Sequence, residues 1–327
     1  MTETKEKLRK EFNKQGNTIF SAKDFVDRER NIVSVSPMVD FALKGGIPEG
    51  SWVILSGLPK CGKSITALQI AANAQQQYGK PVYYGNVEHR VDKKELHGVH
   101  GLDIEAVEMI QSSPTNIFTG VDFLTRFHQV VWDVPECVLI IDSTSALCGE
   151  GEFKGEFSAM GRAEGPKLLA KFCRKLTGVV PVQKSIIIVI QHLIANTSGY
   201  GEPYFEDGGR KMQHQASTKL RCTSFQKWEN AKKDDQIGQV INWQVKEAAL
   251  TKPGTKFQSY LRYGYGLDNI KEYVTLGLDM GIIDQAKAWF TVPGCEKKIN
   301  GEDNVRQYYV DNPEALEDLK TQIKSML

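Results

Sequence analysis

Apolar positions along this chain follow two rhythms. Short, β-favouring runs recur at Trp52-Val53-Ile54-Leu55, Pro81–Val87, Cys137–Ile141 and Lys184–Ile190. The last two are continuous rather than alternating, the pattern of strands buried on both faces of a parallel sheet. Between the runs a helical period takes over. Ala67, Ile70, Ala71 and Ala74 share one face of Ile65–Gln75, and Lys167, Lys171, Arg174 and Lys175 form a basic stripe at the same spacing. Strands and helices in this arrangement predict an α/β fold around a mostly parallel, twisted sheet. At the N-terminus, Glu3–Lys14 is charged and helix-favouring, with Leu8 and Phe12 four residues apart, and Gly16-Asn17 ends it before an extended run Thr18-Ile19-Phe20. Two apolar residues build no core, so this helix either docks on a larger body or stands as a solvated arm.

Composition narrows the class. A chain of 327 residues has room for one large α/β domain with small appendages. Its 41 lysines and arginines against 40 aspartates and glutamates leave a net charge of +1, so local clusters decide whether nucleic acid is a partner. The six cysteines lack paired or metal-ligand spacing, as expected of reduced thiols in a cytoplasmic protein. No apolar run approaches a membrane span, and the N-terminus is too charged for a secretion signal. Two glycine-rich segments follow strand ends and are long for a compact domain. Gly149–Gly165 contains Glu150, Glu152, Lys154, Glu156, Met160 and Arg162; Ala195–Arg210 contains Tyr200, Tyr204, Phe205 and Glu206, before Gly208-Gly209-Arg210-Lys211. With the basic stripe between them they suit binding of a phosphate backbone, with apolar or aromatic side chains among the bases. A solvated helix face with surface loops is the plainer alternative.

The strongest chemical signal is Gly57-Leu58-Pro59-Lys60-Cys61-Gly62-Lys63-Ser64, a P-loop set between an apolar strand and a helix. Its glycines let successive N–H groups and the helix N-terminus face one anion; Lys63 supplies a point charge and the Ser64 hydroxyl a ligand for Mg²⁺. The run Val138-Leu139-Ile140-Ile141 closing on Asp142 is a Walker B element, placing a carboxylate opposite Ser64 to support the metal. Glu88, at the end of the second strand, lies where it can orient and deprotonate a water aimed at a γ-phosphate. An ordinary solvated glutamate is the alternative. Gln191-His192 ends a third buried strand with polar groups suited to sensing that phosphate, or stands as a plain polar pair.

Taken in order, Gly45-Gly46-Ile47-Pro48-Glu49-Gly50, the P-loop, Glu88-His89, Ile140-Ile141-Asp142-Ser143 and Gly208-Gly209 resemble the RecA recombinase family. The tail agrees: Tyr263-Gly264-Tyr265-Gly266-Leu267, Leu276-Gly277, Ala286, Ala288-Trp289 and Asp311-Asn312-Pro313-Glu314 are similar to its bacterial C-terminal domain. Ser158–Ala163 and His192 are nearer the T4-type phage branch, which is UvsX-like.

The resemblance implies a RecA-like P-loop NTPase core at 32–262, an N-terminal helix-strand oligomerisation arm at 1–31, and a small α+β C-terminal domain at 263–327. It implies ATP and Mg²⁺ as cofactors. Gly57 to Ile65, Asp92, Asp142, Gln191, His192 and Lys246 would bind ATP, with Lys246 acting across a subunit boundary. Glu88 and Lys63 would be catalytic, and Ser64 and Asp142 would hold the metal. Met160, Gly161, Arg162, Lys167, Lys171, Arg174, Tyr204, Phe205, Gly208, Gly209, Arg210 and Lys211 would contact DNA.

Three departures stand out. Where bacterial members place two lysines, two residues apart, across the subunit interface, residues 245–252 offer only Lys246 as a partner. Glu95 occupies the place where bacterial members stack adenine on a tyrosine, and the chain ends at Lys324-Ser325-Met326-Leu327 without their acidic tail, so freer DNA access is expected. The implied activity is DNA-stimulated ATP hydrolysis by a filament on single-stranded DNA that pairs it with homologous duplex DNA and exchanges strands. A single-strand-binding protein and a mediator are its expected helpers, in a bacterial host's cytoplasm if phage-encoded. A ring helicase and a scaffold ATPase are the rival readings. The tail argues against the first, and the basic helix between two long loops against the second.

Overall fold

The computed structural model describes residues 2–14, 16, 19–27, 29–155, 164–196, 200–230 and 232–326. The chain divides into two compact units, Met1–Asn31 and Ile32–Leu327.

In the first unit a helix spans Thr2–Asn13 and a short one Ala22–Val26. Ser21 caps the second, with Asp24 reaching back to close the capping box, and Arg9 pairs with Asp24 at 2.7 Å. The Asn13 side chain bridges to both backbone groups of Ile19. Ile19 and Phe20, expected to be extended, carry no regular structure, and Thr18 lies outside the described residues.

The second unit is built on a ten-stranded sheet: β1 (Ser51–Gly57), β2 (Val82–Asn86), β3 (Val107–Ile110), β4 (Val138–Asp142), β5 (Ile186–Ala195), β6 (Tyr204–Glu206), β7 (Thr218–Glu229), β8 (Gln236–Glu247), β9 (Lys256–Arg262) and β10 (Gly266–Leu267). Its spatial order is β10-β9-β8-β7-β1-β5-β4-β2-β3, with β6 folded back on the end of β5. Pairings from β7 through β1 to β3 are parallel, and those from β7 to β10 antiparallel. Alternate residues of each parallel strand enter two separate cores. Val53, Leu55, Ile140 and Ile188 pack with the helix Lys63–Tyr78, while Trp52, Ile54, Leu139 and Ile187 pack with Phe127 and Phe172 on the other face. This two-sided burial is why these strands read as unbroken apolar runs.

Beyond β10 come a helix Asn269–Asp279, three short antiparallel strands between Asp284 and Asn300, and helices Glu302–Asp311 and Pro313–Ser325. They share a third apolar cluster, with Val274, Phe290, Tyr309 and Leu319 at its centre and Met38 joining from the helix Pro37–Leu43. No described helix is long and apolar enough to cross a membrane.

The two long loops are less irregular than expected. The first opens with a helical turn, Glu150–Lys154, and Met160, Gly161 and Arg162 lie outside the described residues. The second is narrowed at both ends, because β5 runs past Gln191-His192 to Ala195 and pairs with β6, and a helix already begins at Gly209. Continued main-chain pairing, with Leu193 and Ile194 following the polar pair, outweighs the break that Gln191-His192 suggests.

Candidate nucleotide-binding and active site

A cleft of about 570 Å³ opens where β1, β2 and β4 end and β5 runs past them, bordered by Pro59 to Ile65, Glu88, Asp142 and His192. An open parallel sheet places its ligand crevice at such strand ends. Gly62 takes a left-handed conformation, φ 86°, and turns the loop into the 16-residue helix Lys63–Tyr78. No side chain caps that helix, so its N-terminus keeps its partial positive charge for an anion in the loop. The Lys63 ammonium is folded inward and donates to the carbonyls of Gly57 (3.1 Å) and Leu58 (2.8 Å). A phosphate would compete for it.

Opposite Lys63, the Ser64 hydroxyl donates to Asp142 Oδ2 at 2.7 Å, and Tyr84 donates to the same oxygen at 2.6 Å. Burial and the Asp142 charge push the Tyr84 phenol far up, so it remains a donor. Among the described residues no group of three or more His, Cys, Asp or Glu could hold a metal ion. Mg²⁺ needs no such cage, because it keeps waters and takes phosphate oxygens beside one or two protein ligands. Ser64 and Asp142 are hard oxygen donors already in contact, and they fit that requirement.

Glu88 stands apart from this corner, in a cluster of its own. Its Oε1 receives the Ser143 hydroxyl and lies 2.8 Å from His192 Nε2, while its Oε2 pairs with Arg90 at 3.0 Å. The His192 hydrogen bond, with those of Ser143 and the Arg90 charge, holds the carboxyl down at about 2. Glu88 is therefore ionised across the neutral range. The Asp142–Ser143 peptide between the two carboxylate clusters is cis.

Gln191 does not border the cleft. It is buried behind His192, donating to Thr144 Oγ1 at 3.4 Å and accepting from Gln213 Nε2 at 2.7 Å. A side chain at Gly208 would meet its Nε2 at 2.4 Å, and the Asp207 amide bonds the His192 carbonyl at 3.1 Å. A continuous chain of contacts therefore leads from Glu88 through His192 and Gln191 to Gly208, where the helix Gly209–Gln215 starts. That helix packs on the helix Gly165–Leu176 through Met212 and Cys173, with Thr177 just beyond reaching Gln215. Lys167, Lys171, Arg174, Arg210 and Lys211 are exposed on the two. Tyr204 and Phe205, on β6, are about half exposed.

Asp92 and Glu95 both line the outer cleft, where Asp92 caps the short helix Lys93–His97 through the amides of Lys94 and Glu95. Lys246 does not reach its own cleft and pairs with Glu202 at 2.8 Å. Glu202 also holds Arg221, which is bound to Glu206, so the segment before β6 is tied to the sheet.

Sequence reasoning missed Tyr84, Arg90, Ser143 and Tyr263 as site residues. Tyr263 borders the cleft and accepts hydrogen bonds from Gln236 (2.8 Å) and Gln239 (3.1 Å). Tyr84 had no distinct signal, since Tyr83 beside it carries the same hydroxyl, and the neighbours of Glu88 and Asp142 in sequence were the signal for Arg90 and Ser143.

Comparison with known proteins identifies the family. The family model described as the RecA N-terminal domain matches residues 1–268. The chain is 26% identical over 287 residues to Protein RecA of Desulforapulum autotrophicum, covering 86% of this chain and 79% of the relative. It is 28% identical over 287 residues to that of Oleidesulfovibrio alaskensis, covering 86% and 78%. To that of Cytophaga hutchinsonii it is 27% identical over 324 residues, covering 98% and 88%.

Proposed function

We propose, for a chain that belongs to the RecA family and is thus a DNA recombination protein, that ATP bound in this cleft switches a filament between states that grip and release single-stranded DNA. Family members are DNA-dependent ATPases. The finer assignment rests on one observation, the unbroken contact chain from Glu88 through His192 and Gln191 to Gly208.

The triphosphate sits on the loop amides and draws Lys63 from the Gly57 and Leu58 carbonyls onto its γ end. Ser64 and Asp142 hold Mg²⁺, which neutralises phosphate charge when bound. The Glu88 carboxylate orients the attacking water and accepts its proton as the bond from water oxygen to the γ-phosphorus forms and the bond to the bridging oxygen breaks, releasing ADP. Held at about 2 chiefly by the His192 hydrogen bond, this carboxylate becomes a stronger base when His192 leaves it for the γ-phosphate. Such a move pulls on Gln191 and on the start of the Gly209–Gln215 helix, changing how that helix and the basic Gly165–Leu176 helix meet a phosphate backbone.

Residues 1–31 act as the arm that links one protomer to the next, which a separate unit with Leu8, Phe12, Phe25 and Val26 exposed supports. Residues 32–262 form the ATPase core and 263–327 the C-terminal domain. Met160, Gly161 and Arg162 enter the DNA from the first loop, and Lys246 leaves Glu202 for the nucleotide of the neighbouring protomer. A head-to-tail interface that does not close gives an open helical polymer.

The test is ATP hydrolysis with and without single-stranded DNA at matched salt, with electron microscopy of the same samples. Stimulation with extended filaments is expected, and Lys63→Ala should abolish nucleotide binding and filament formation. Hydrolysis indifferent to DNA, or closed rings, would refute this function. Strand exchange by Lys63→Ala with ATP would refute the loop assignment.

A further inference from the structure

Cys61 and Cys222 form a buried thiol pair under the phosphate loop, and the nucleotide chemistry above uses neither sulfur. Parallel pairing of β1 with β7, Ser56 opposite Arg221, brings Cys222 beside Gly57. A Cβ on Gly57 would lie 2.7 Å from Cys61 Sγ and 2.8 Å from Cys222 Cβ. Only a glycine there leaves space for both side chains, which flank it; the Cys222 thiol donates to the Ser224 carbonyl at 3.4 Å. Lys63 Nζ lies 3.8 Å from Cys61 Sγ, and the uncapped helix N-terminus begins two residues on.

We propose that Cys61 and Cys222 are an oxidation site, converted by a small peroxide to a disulfide under the phosphate loop that reversibly weakens nucleotide binding. The division of labour between the sulfurs follows from their surroundings. The closeness of Cys222, then the Lys63 charge 3.8 Å away, lower the Cys61 thiol, while Cys222 is pushed up. Cys61 is thus the nucleophilic thiolate and Cys222 the resolving thiol. Burial pushes Cys137, Cys148 and Cys173 up, which makes them poor competitors.

The Cys61 thiolate attacks one peroxide oxygen, the O–O bond breaks, and the departing hydroxide takes the proton that Cys61 released, giving water and a sulfenic acid. The Cys222 sulfur then attacks Cys61 sulfur. The S–O bond breaks, and the hydroxide leaves with the Cys222 proton as a second water. Two thiols supply the two electrons that reduce the peroxide.

Both sulfurs are buried, but Cys61 borders the cleft. A small neutral oxidant reaches it through the nucleotide site, and bound nucleotide closes that route. A disulfide is shorter than any thiol–thiol hydrogen bond, so oxidation draws Cys61 towards β7 and pulls the loop amides out of convergence on one anion.

The experiment treats the full chain with equimolar hydrogen peroxide, with and without prebound ATP and Mg²⁺. It reads peptide mass spectrometry under non-reducing conditions and equilibrium binding of a fluorescent ATP analogue. A Cys61–Cys222 linked peptide is expected, with nucleotide affinity down about tenfold or more. Dithiothreitol should restore both, and prebound nucleotide should prevent both. In Cys222→Ser the link should be absent and dimedone should label Cys61. Absence of the link, dimedone on another cysteine instead, or a linked protein that binds nucleotide normally would overturn the proposal. Failure of the reduced protein to bind nucleotide would instead count against the function above, since the disulfide map is read independently of it.

Discussion

Glu88 and Glu272 meet opposite surroundings within one unit of the molecule. Glu88 faces His192, Arg90 and the Ser143 hydroxyl, and its carboxyl is held at about 2. Glu272, on the helix Asn269–Asp279, is fully buried and receives neutral donors, the amides of Met38 (2.9 Å) and Tyr260 (3.2 Å). Burial raises it to about 7, and nearby Asp40, itself raised by burial to about 6, adds to the effect. The cleft maintains a charge at the mouth of the sheet, where a reacting phosphate would arrive. The other cluster instead uses a carboxyl that titrates near neutrality to fasten the helix Asn269–Asp279 to the helix Pro37–Leu43 and to β9. Partners, rather than burial alone, separate a carboxylate available for chemistry from one that holds the fold.

The largest effect that would sharpen this contrast is on turnover. Glu88→Gln should bind ATP and DNA yet hydrolyse about 10²–10⁴-fold more slowly, measured by steady-state hydrolysis beside equilibrium binding. Turnover near the parent rate would remove Glu88 from the reaction and break the comparison at its first member.

Glu272→Gln should leave hydrolysis alone and change how stability depends on pH. A carboxyl whose folded value is raised contributes stability that is fully present below its unfolded value, 4.5, and lost as pH rises through about 7. The shift corresponds to about 3 kcal/mol at most. The parent should therefore weaken between pH 5 and pH 8, and the glutamine variant should lose most of that slope, matching the parent at pH 5 and exceeding it at pH 8. Glu88 contributes with the opposite sign, losing stability only as pH falls from 4.5 towards 2. Urea unfolding at the two pH values decides the matter, and parallel curves would mean that Glu272 does not titrate in this range.

The same contrast explains what could be read from the chain. That the P-loop, Asp142 and Glu88 border one cleft was legible from a phosphate-loop spacing and from two carboxylates at strand ends, and the parallel strands were legible because burial on both faces leaves continuous apolar runs. The antiparallel extension β7–β10 was not legible, since strands such as Thr218–Glu229 are exposed along much of their length and mix polar with apolar positions. The pairing of β5 with β6 joins segments across an intervening loop. The Glu202–Lys246 pair spans 44 positions and was equally hidden. Glu272 carried no sequence signal, because its meaning comes from Met38, more than two hundred residues earlier.

Tyr84 offers the finest test, because it belongs to neither class. Its hydroxyl touches no position where a phosphate would react, yet it donates to the Asp142 oxygen that Ser64 also holds. Tyr84→Phe removes one donor from a carboxylate in a buried setting without opening a large cavity, so a stability cost of about 1–2 kcal/mol is expected. With Ser64 still in place, Asp142 keeps one of its two contacts, and hydrolysis at saturating Mg²⁺ should fall only a few-fold. The Mg²⁺ concentration needed for half-maximal nucleotide binding should rise, because the carboxylate is then less firmly aimed. If Tyr84→Phe slowed hydrolysis at saturating Mg²⁺ as much as Glu88→Gln, the Asp142 corner would belong to the reacting group rather than to its support. The line between chemistry and scaffold would then run behind β2 instead of along its edge.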